Sequence, residues 1–281
     1  MSKITAAAVN NLRTLTGVGM MDCKKALVET NGDVDAAVKL LRERGVAVAA
    51  KRADKAANQG LIVSKTNADG SVLAMVEVNC ETDFVARNSD FGDFVGTVVD
   101  KALESDDDPA AAMADELSAK IAAIGENMKI RRSVRYTLTG TGKLASYIHM
   151  GGKVGVALEL ACGKSDTIAK PEFDELALDL CLQVAASAPR YVAPADVAAD
   201  EVAAEREIYA KQMDGQNKPA NILDKIIDGR MNKFYSEICL VEQEFVKSES
   251  KQTIKELIEE VAKKCGDTIE VKRFTRFQLG A

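Results

Sequence analysis

The sequence has no tryptophan, one histidine and five prolines among its 281 residues. A lone His149 leaves little of the acid–base equipment that hydrolases use. An aromatic content of 5% is too thin for the stacking platforms of single-strand nucleic-acid binders. Positive charge is short as well: 37 Lys and Arg face 43 Asp and Glu, a net charge of −6, so no global positive field draws nucleic acid or anionic lipid. No apolar run reaches the length of a bilayer span. Cysteines stand at Cys23, Cys80, Cys162, Cys181, Cys239 and Cys265 without a CxxC pair, which speaks against zinc and dithiol sites. Reduced thiols acting as small buried hydrophobes are the plain account. The start "MSKITAAAVNNL" has neither the layout of a secretory signal nor the Arg/Ser richness of a transit peptide, so a cytoplasmic protein is the expectation.

What is present is an ordinary globular composition, 47% apolar and 28% charged, long enough for two or three domains. The first fifty residues read as three short helices. Thr5 is placed to cap the first, with Val9, Leu12 and Leu15 as its stripe. Met21 and Val28 lie at helical spacing in the second, and Asn31-Gly32 supplies a left-handed stop. Asp33 caps the third, which should end at Gly45. From Gly60 the period changes to that of strands: "GLIVSKT", a turn at "NADG" and "SVLAMVEVNC" form a hairpin with Val72, Ala74, Val76 and Val78 on one face. "SDFGDFVGTVVDKAL" then reads as an amphipathic helix with Phe91, Phe94 or Val95, Val98 and Ala102 as its stripe.

This unit occurs twice. Slid along itself until Gly60 meets Gly142, the chain also matches Ser64 to Ser146, Gly70 to Gly152, Val72 to Val154, Glu77 to Glu159, Cys80 to Cys162 and Phe91 to Phe173, without a gap. Two related α+β subdomains follow. Between the copies lie a helix over "DDDPAAAMADELSAKIAAIGEN" and the basic strand "MKIRRSVRYTLTG", whose arginines are expected to pair with local acids. After the second copy come two helices at roughly 195–213 and 220–237, joined by a turn with Gly215 and Pro219, then a last helix and a closing strand.

Within the repeat one position breaks the match. The strand-to-helix joint reads "ETDFVARN" in the first copy and "GKSDTIAK" in the second, so Phe84 aligns with Asp166. A fold that needed an aromatic plug at this joint would supply one in both copies. Phe84 is therefore expected to point outward. Other candidate chemistry fails on spacing: "TGTGK" and "CGKSD" carry Thr137 and Leu158 where a P-loop needs its first glycine.

The stretches "TGVGMMDCKKAL", "VEVNCETDFVARN", "IGENMKIRR" and "IHMGGKVGV" together resemble the elongation factor Ts family, guanine-nucleotide exchange factors of elongation factor Tu. The resemblance implies an α+β protein with a small three-helix, ubiquitin-associated-like N-terminal domain, a duplicated core and an inserted antiparallel helical hairpin. On this sequence the domains fall at 1–56, 57–141 and 142–281, with the hairpin at about 195–237. It also implies that Thr82, Asp83, Phe84 and Val85 dislodge the magnesium ion of elongation factor Tu, Phe84 entering between partner helices. Met20, Met21, Ile124, Gly125 and His149 match further partner contacts. No covalent chemistry, cofactor, bound nucleotide, nucleic acid or membrane enters this expectation; the partner is a protein. Two other readings stay open from the residues alone: a non-catalytic adaptor built on the helical domain and hairpin, and a thiol enzyme using Cys80 or Cys162 with His149.

Overall fold

The computed structural model describes residues 4–213 and 219–281; the turn expected at Gly215 lies outside the described residues. Three helices open the chain, α1 (Ala6–Thr16), α2 (Met20–Glu29) and α3 (Val34–Arg52). The Thr5 hydroxyl accepts from the Ala8 N–H at 3.2 Å, and the Asp33 carboxylate accepts from the Ala36 N–H at 3.0 Å. Both satisfy amide groups that a helix start leaves unpaired. Gly17, Asn31 and Gly32 all take positive φ.

Two expectations fail here. The third helix continues past Gly45 to Arg52, because Gly45 faces a later helix. A Cβ there would lie 3.5 Å from both the Ala122 Cβ and the Ser118 carbonyl oxygen. The buried faces also differ in part from the reading: Val9 and Leu12 are enclosed as expected, but Leu15 and Val28 are exposed, and Cys23, Ala26, Leu27 and Ala37 are enclosed. On α2 the enclosed face is that of Cys23, Ala26 and Leu27, and Val28, the next residue round the helix, is turned outward.

The core begins with β1 (Gln59–Thr66) and β2 (Val72–Cys80), an antiparallel hairpin. A single turn, α4 (Asp83–Ala86), leads into α5 (Ser89–Glu104). The helix expected next is split at buried Met113 into α6 (Pro109–Ala112) and α7 (Ala114–Ile124). Then β3 (Met128–Thr137) returns beside β2. The second half repeats the pattern with β4 (Gly142–His149), β5 (Val154–Cys162) and α8 (Pro171–Ser187). After α9 (Ala199–Gln212), α10 (Ala220–Ile238) and α11 (Ile254–Cys265), strand β6 (Ile269–Gln278) pairs with β5. The sheets are ordered β1-β2-β3 and β4-β5-β6, and each carries a register shift just after its repeat glutamate, at Glu77/Val78 and Glu159/Leu160.

The two sheets stack through Ile62, Leu73, Met75 and Tyr136 on one side and Leu144, Ala157 and Phe277 on the other. Their outer faces carry helices, α5 and α7 over the first sheet, α8 and α11 over the second. The order is helix, sheet, sheet, helix. This explains why β2 shows no clean alternation: Ala74, Val76 and Val78 pack on α5 while Leu73 and Met75 pack on the other sheet. Where the halves meet, Ser64 and Ser146, separated by 82 residues, share a 3.0 Å hydrogen bond. The matched serines sit together at the internal axis.

The repeat glycines have a steric cause. A Cβ on Gly60, which has φ +142°, would lie 2.1 Å from the Val78 carbonyl oxygen, and one on Gly142 would lie 2.3 Å from that of Leu160. Both glycines start a strand against the far end of its neighbour. Gly142→Ala is therefore expected to cost about 1–3 kcal/mol through forced strand displacement, read as a lower urea midpoint at unchanged slope.

The basic strand β3 pairs internally as expected, Arg132 with Glu77 at 2.7 Å and Arg135 with Asp106 at 2.9 Å. Helices α9 and α10 contact one another through Arg206 and Asp228 at 2.9 Å. Ala195 and Asp196, expected in the first of them, belong instead to a separate short 3-10 turn, Pro194–Asp196. No helix is long and apolar enough to cross a membrane among the described residues.

Candidate functional site

The end of β2 sets the site. Its last residue, Cys80, is buried, and its thiol donates to the Thr82 carbonyl oxygen at 3.2 Å, so the chain turns at once into α4. Thr82 caps this turn, its hydroxyl oxygen accepting from the Val85 N–H at 3.3 Å. Val85 and Ala86 face inward onto the core of the first half. That orientation throws Phe84 outward, where it is 82% exposed, the most exposed of the large apolar side chains among the described residues. Asp83 beside it stands at the surface, 3.0 Å from Arg87. In the second half the corresponding joint is a 3-10 turn, Ser165–Ala169, with Asp166 in the place of Phe84. The outward direction expected from the repeat is the one found.

Ile124 and Gly125 are brought against this turn. Ile124 ends α7, half-buried on the same core, and Gly125 takes φ 82° to cap the helix. Glu126 and Glu81 then lace the two segments. Glu126 Oε2 accepts from the Thr82 N–H at 3.0 Å and Oε1 from the Thr82 hydroxyl at 2.6 Å. In return Glu81 Oε1 accepts from the Asn127 N–H at 2.6 Å and from Arg52 Nη1 at 2.9 Å. The Asn127 N–H, then Arg52, hold the Glu81 carboxyl below the usual carboxylate range. Asn127 is buried and donates its side-chain amide to the Lys55 carbonyl at 2.6 Å, tying in the chain that leaves α3. None of Glu81, Glu126, Asn127 and Arg52 was picked out from the sequence. The signal available was a carboxylate following a helix-ending glycine, which by itself names no partner.

Met20 and Met21 open α2 and are 47% and 64% exposed. The loop before them comes close to the turn: Thr16, Gly17, Val85, Lys120 and Ile124 line one cleft of about 460 Å³. The helical unit, α4 and the end of α7 thus border a common surface. His149 is not part of it. It ends β4, exposed, with Nδ1 2.9 Å from the Tyr147 hydroxyl, at a separate cleft of about 240 Å³ that also includes Leu182, Val246 and Lys247.

The thiols offer little chemistry. Burial, reinforced by the Glu126 charge, pushes the Cys80 thiol up to about 12, and burial also raises that of Cys162. Neither supplies thiolate near neutral pH. Among the described residues no group of three or more His, Cys, Asp or Glu is placed to hold a metal.

Comparison with known proteins agrees on a single family. A family model described as Elongation factor TS matches residues 81–281. An elongation factor Ts of Trichlorobacter lovleyi is 43% identical, over 99% of this chain and 93% of its own length. That of Desulfovibrio desulfuricans is 43% identical across the whole of both chains. One from Clostridium botulinum is 42% identical over 99% of this chain and 93% of its own.

Proposed function

This chain belongs to the elongation factor Ts family of translation elongation factors, and from that premise we propose that it binds elongation factor Tu carrying GDP and speeds release of the nucleotide. The observation that carries the reading is Phe84, an aromatic ring 82% exposed on a turn anchored by Val85 and Ala86. In this reading Phe84 enters between helices of the partner, with Thr82, Asp83 and Val85 around it, and the partner's magnesium ion is dislodged. Met20, Met21, Ile124 and Gly125 extend the same contact, and His149 makes a separate one from the second half.

The reading divides the chain at 1–56, 57–141 and 142–281, the first unit being the ubiquitin-associated-like docking domain. Helices α9 and α10 form the antiparallel hairpin. The setting is the cytoplasm.

The physics is linkage. A factor that binds the nucleotide-free partner better than the nucleotide-bound one must weaken nucleotide binding by the same ratio. Each tenfold requires about 1.4 kcal/mol of differential binding. Burying one Phe ring supplies about 1.5–3 kcal/mol, and loss of magnesium removes the main neutraliser of phosphate charge. No covalent step is needed, so the protein acts as an exchange factor rather than an enzyme of bond chemistry, and it carries no cofactor of its own.

The test is release of labelled GDP from elongation factor Tu with and without this protein. Acceleration by orders of magnitude is the expected result. Stable binding with an unchanged off-rate would instead favour an adaptor.

A further inference from the structure

Phe84 is 82% exposed, so little of its own surface is held by neighbours. The turn that carries it is four residues long, and one helical turn does not hold its shape unaided. Something outside the turn must fix its direction. Val85 and Ala86 anchor its inner side, but apolar contacts of that kind are non-directional and do not by themselves set its rotation.

The directional restraint is at the cap. We infer that Glu126 is a positioning residue for Phe84, acting through Thr82; this rests on the exchange reading above. One carboxylate takes both donors of the capping residue, the Thr82 N–H at 3.0 Å and the hydroxyl at 2.6 Å. A threonine hydroxyl has one proton. Committing it to Glu126 leaves a lone pair for the Val85 N–H, so the carboxylate selects the rotamer in which Thr82 caps. Charge-assisted bonds of this length are roughly twice as strong as neutral ones. Glu126 is held in turn from both sides, by the left-handed Gly125 and by buried Asn127, which is bonded to Glu81 and Lys55.

The duplicated frame supplies an internal comparison. In the second half Asp267 follows a left-handed glycine, Gly266, and its Oδ2 accepts from the Lys164 N–H at 2.9 Å and the Thr167 hydroxyl at 2.6 Å. The clasp thus exists at both joints, although only the first carries an exposed aromatic ring. There both bonds converge on the capping threonine, whereas in the second they are spread over Lys164 and Thr167. Asp267 holds a joint, while Glu126 holds a joint that aims a side chain. Asp267→Asn therefore serves as a control for the structural cost of weakening a clasp.

The experiment compares wild type, Glu126→Gln, Thr82→Val and Asp267→Asn for saturating GDP release from elongation factor Tu, the half-saturating concentration and the thermal midpoint. Glu126→Gln is then repeated in a Phe84→Ala background. The expected result is about a tenfold fall in the saturating rate for Glu126→Gln and for Thr82→Val. Half-saturation should move less than the rate, and Asp267→Asn should keep the wild-type rate. In the Phe84→Ala background Glu126→Gln should change nothing further, because groups acting through one another are not additive. A wild-type rate in Glu126→Gln, or an equal loss with and without Phe84, would overturn the inference and leave the exchange reading intact. No acceleration by the wild-type protein would overturn both.

Discussion

Phe84→Ala is expected to lower the saturating rate of GDP release from elongation factor Tu by about 10- to 150-fold, the equivalent of about 1.5–3 kcal/mol for one buried ring. The same substitution should leave the protein's own stability within about 0.5 kcal/mol, as for other surface changes away from packed features. The contrast is the informative part. In most proteins truncating a phenylalanine costs stability because it opens a cavity; here 82% of the ring's surface is already in water. Phe91, only seven positions further on, is fully enclosed, and Phe91→Ala should show the reverse pattern, a stability loss of about 3–5 kcal/mol. Labelled-GDP release and urea unfolding on the two variants separate the roles. A Phe84→Ala protein that exchanges at the wild-type rate would remove the wedge from the mechanism.

The second large effect concerns the seam between the halves. Glu159, 1% exposed, accepts from the Thr139 N–H at 2.8 Å, the Thr139 hydroxyl at 2.6 Å and Arg273 Nε at 2.7 Å. Arg273 lies 4.1 Å over the Tyr136 ring and donates to the Thr137 carbonyl. Glu77, wholly buried, mirrors this with the Gly280 N–H at 2.9 Å and Arg132 Nε at 2.7 Å, and Arg132 lies 4.4 Å over Phe277. Breaking such a pair from one side typically costs about 3–5 kcal/mol. Arg273 is partly exposed and can rehydrate, so Glu159→Ala is expected near the lower end, about 3 kcal/mol, as a fall in the urea midpoint. A change under about 1 kcal/mol would show the pair to be dispensable.

The pH dependence has a definite sign. Burial raises the Glu159 carboxyl, but the bonds from Thr139 and from Arg273 outweigh it, and the net position is lowered. A carboxyl lowered by folding stabilises fully above its unfolded value, about 4.3. That contribution is lost as pH falls through the folded value. Glu159→Gln should therefore be less stable than wild type at neutral pH and lose less on acidification below pH 4.

Much of this was legible in the sequence, and the reasons are physical. Hairpin and helix recur without a gap, so the paired hairpins and the two core phenylalanines could be read by sliding the chain along itself. The third strands could not be paired that way. Arg132 corresponds to Arg273 and Tyr136 to Phe277, but α9 and α10 intervene only in the second half, and the shift between copies is larger there. The clasping glutamates were missed for a related reason: Glu126 meets Thr82 only once β3 has folded back beside β2. In the helical unit the apolar face was placed partly out of register. Leu15 and Val28 lie outside and Cys23, Ala26 and Leu27 within, because neighbouring apolar positions on a helix point in different directions and cannot share one face. Phe84 was readable because its counterpart, Asp166, does not share its character.

The crossing of the tails bears on how the chain acquires its shape. Thr139, just past β3, bonds the glutamate of the second half, while Gly280, just past β6, bonds the glutamate of the first across a separation of 203 residues. During synthesis the early half can pair Glu77 with Arg132, but the bond from Gly280 waits until β6 has been made. Although the two halves repeat one another, neither completes its set of bonds alone. Contacts so distant in sequence slow the search, and what they return is a body that comes together, and comes apart, as a single cooperative unit.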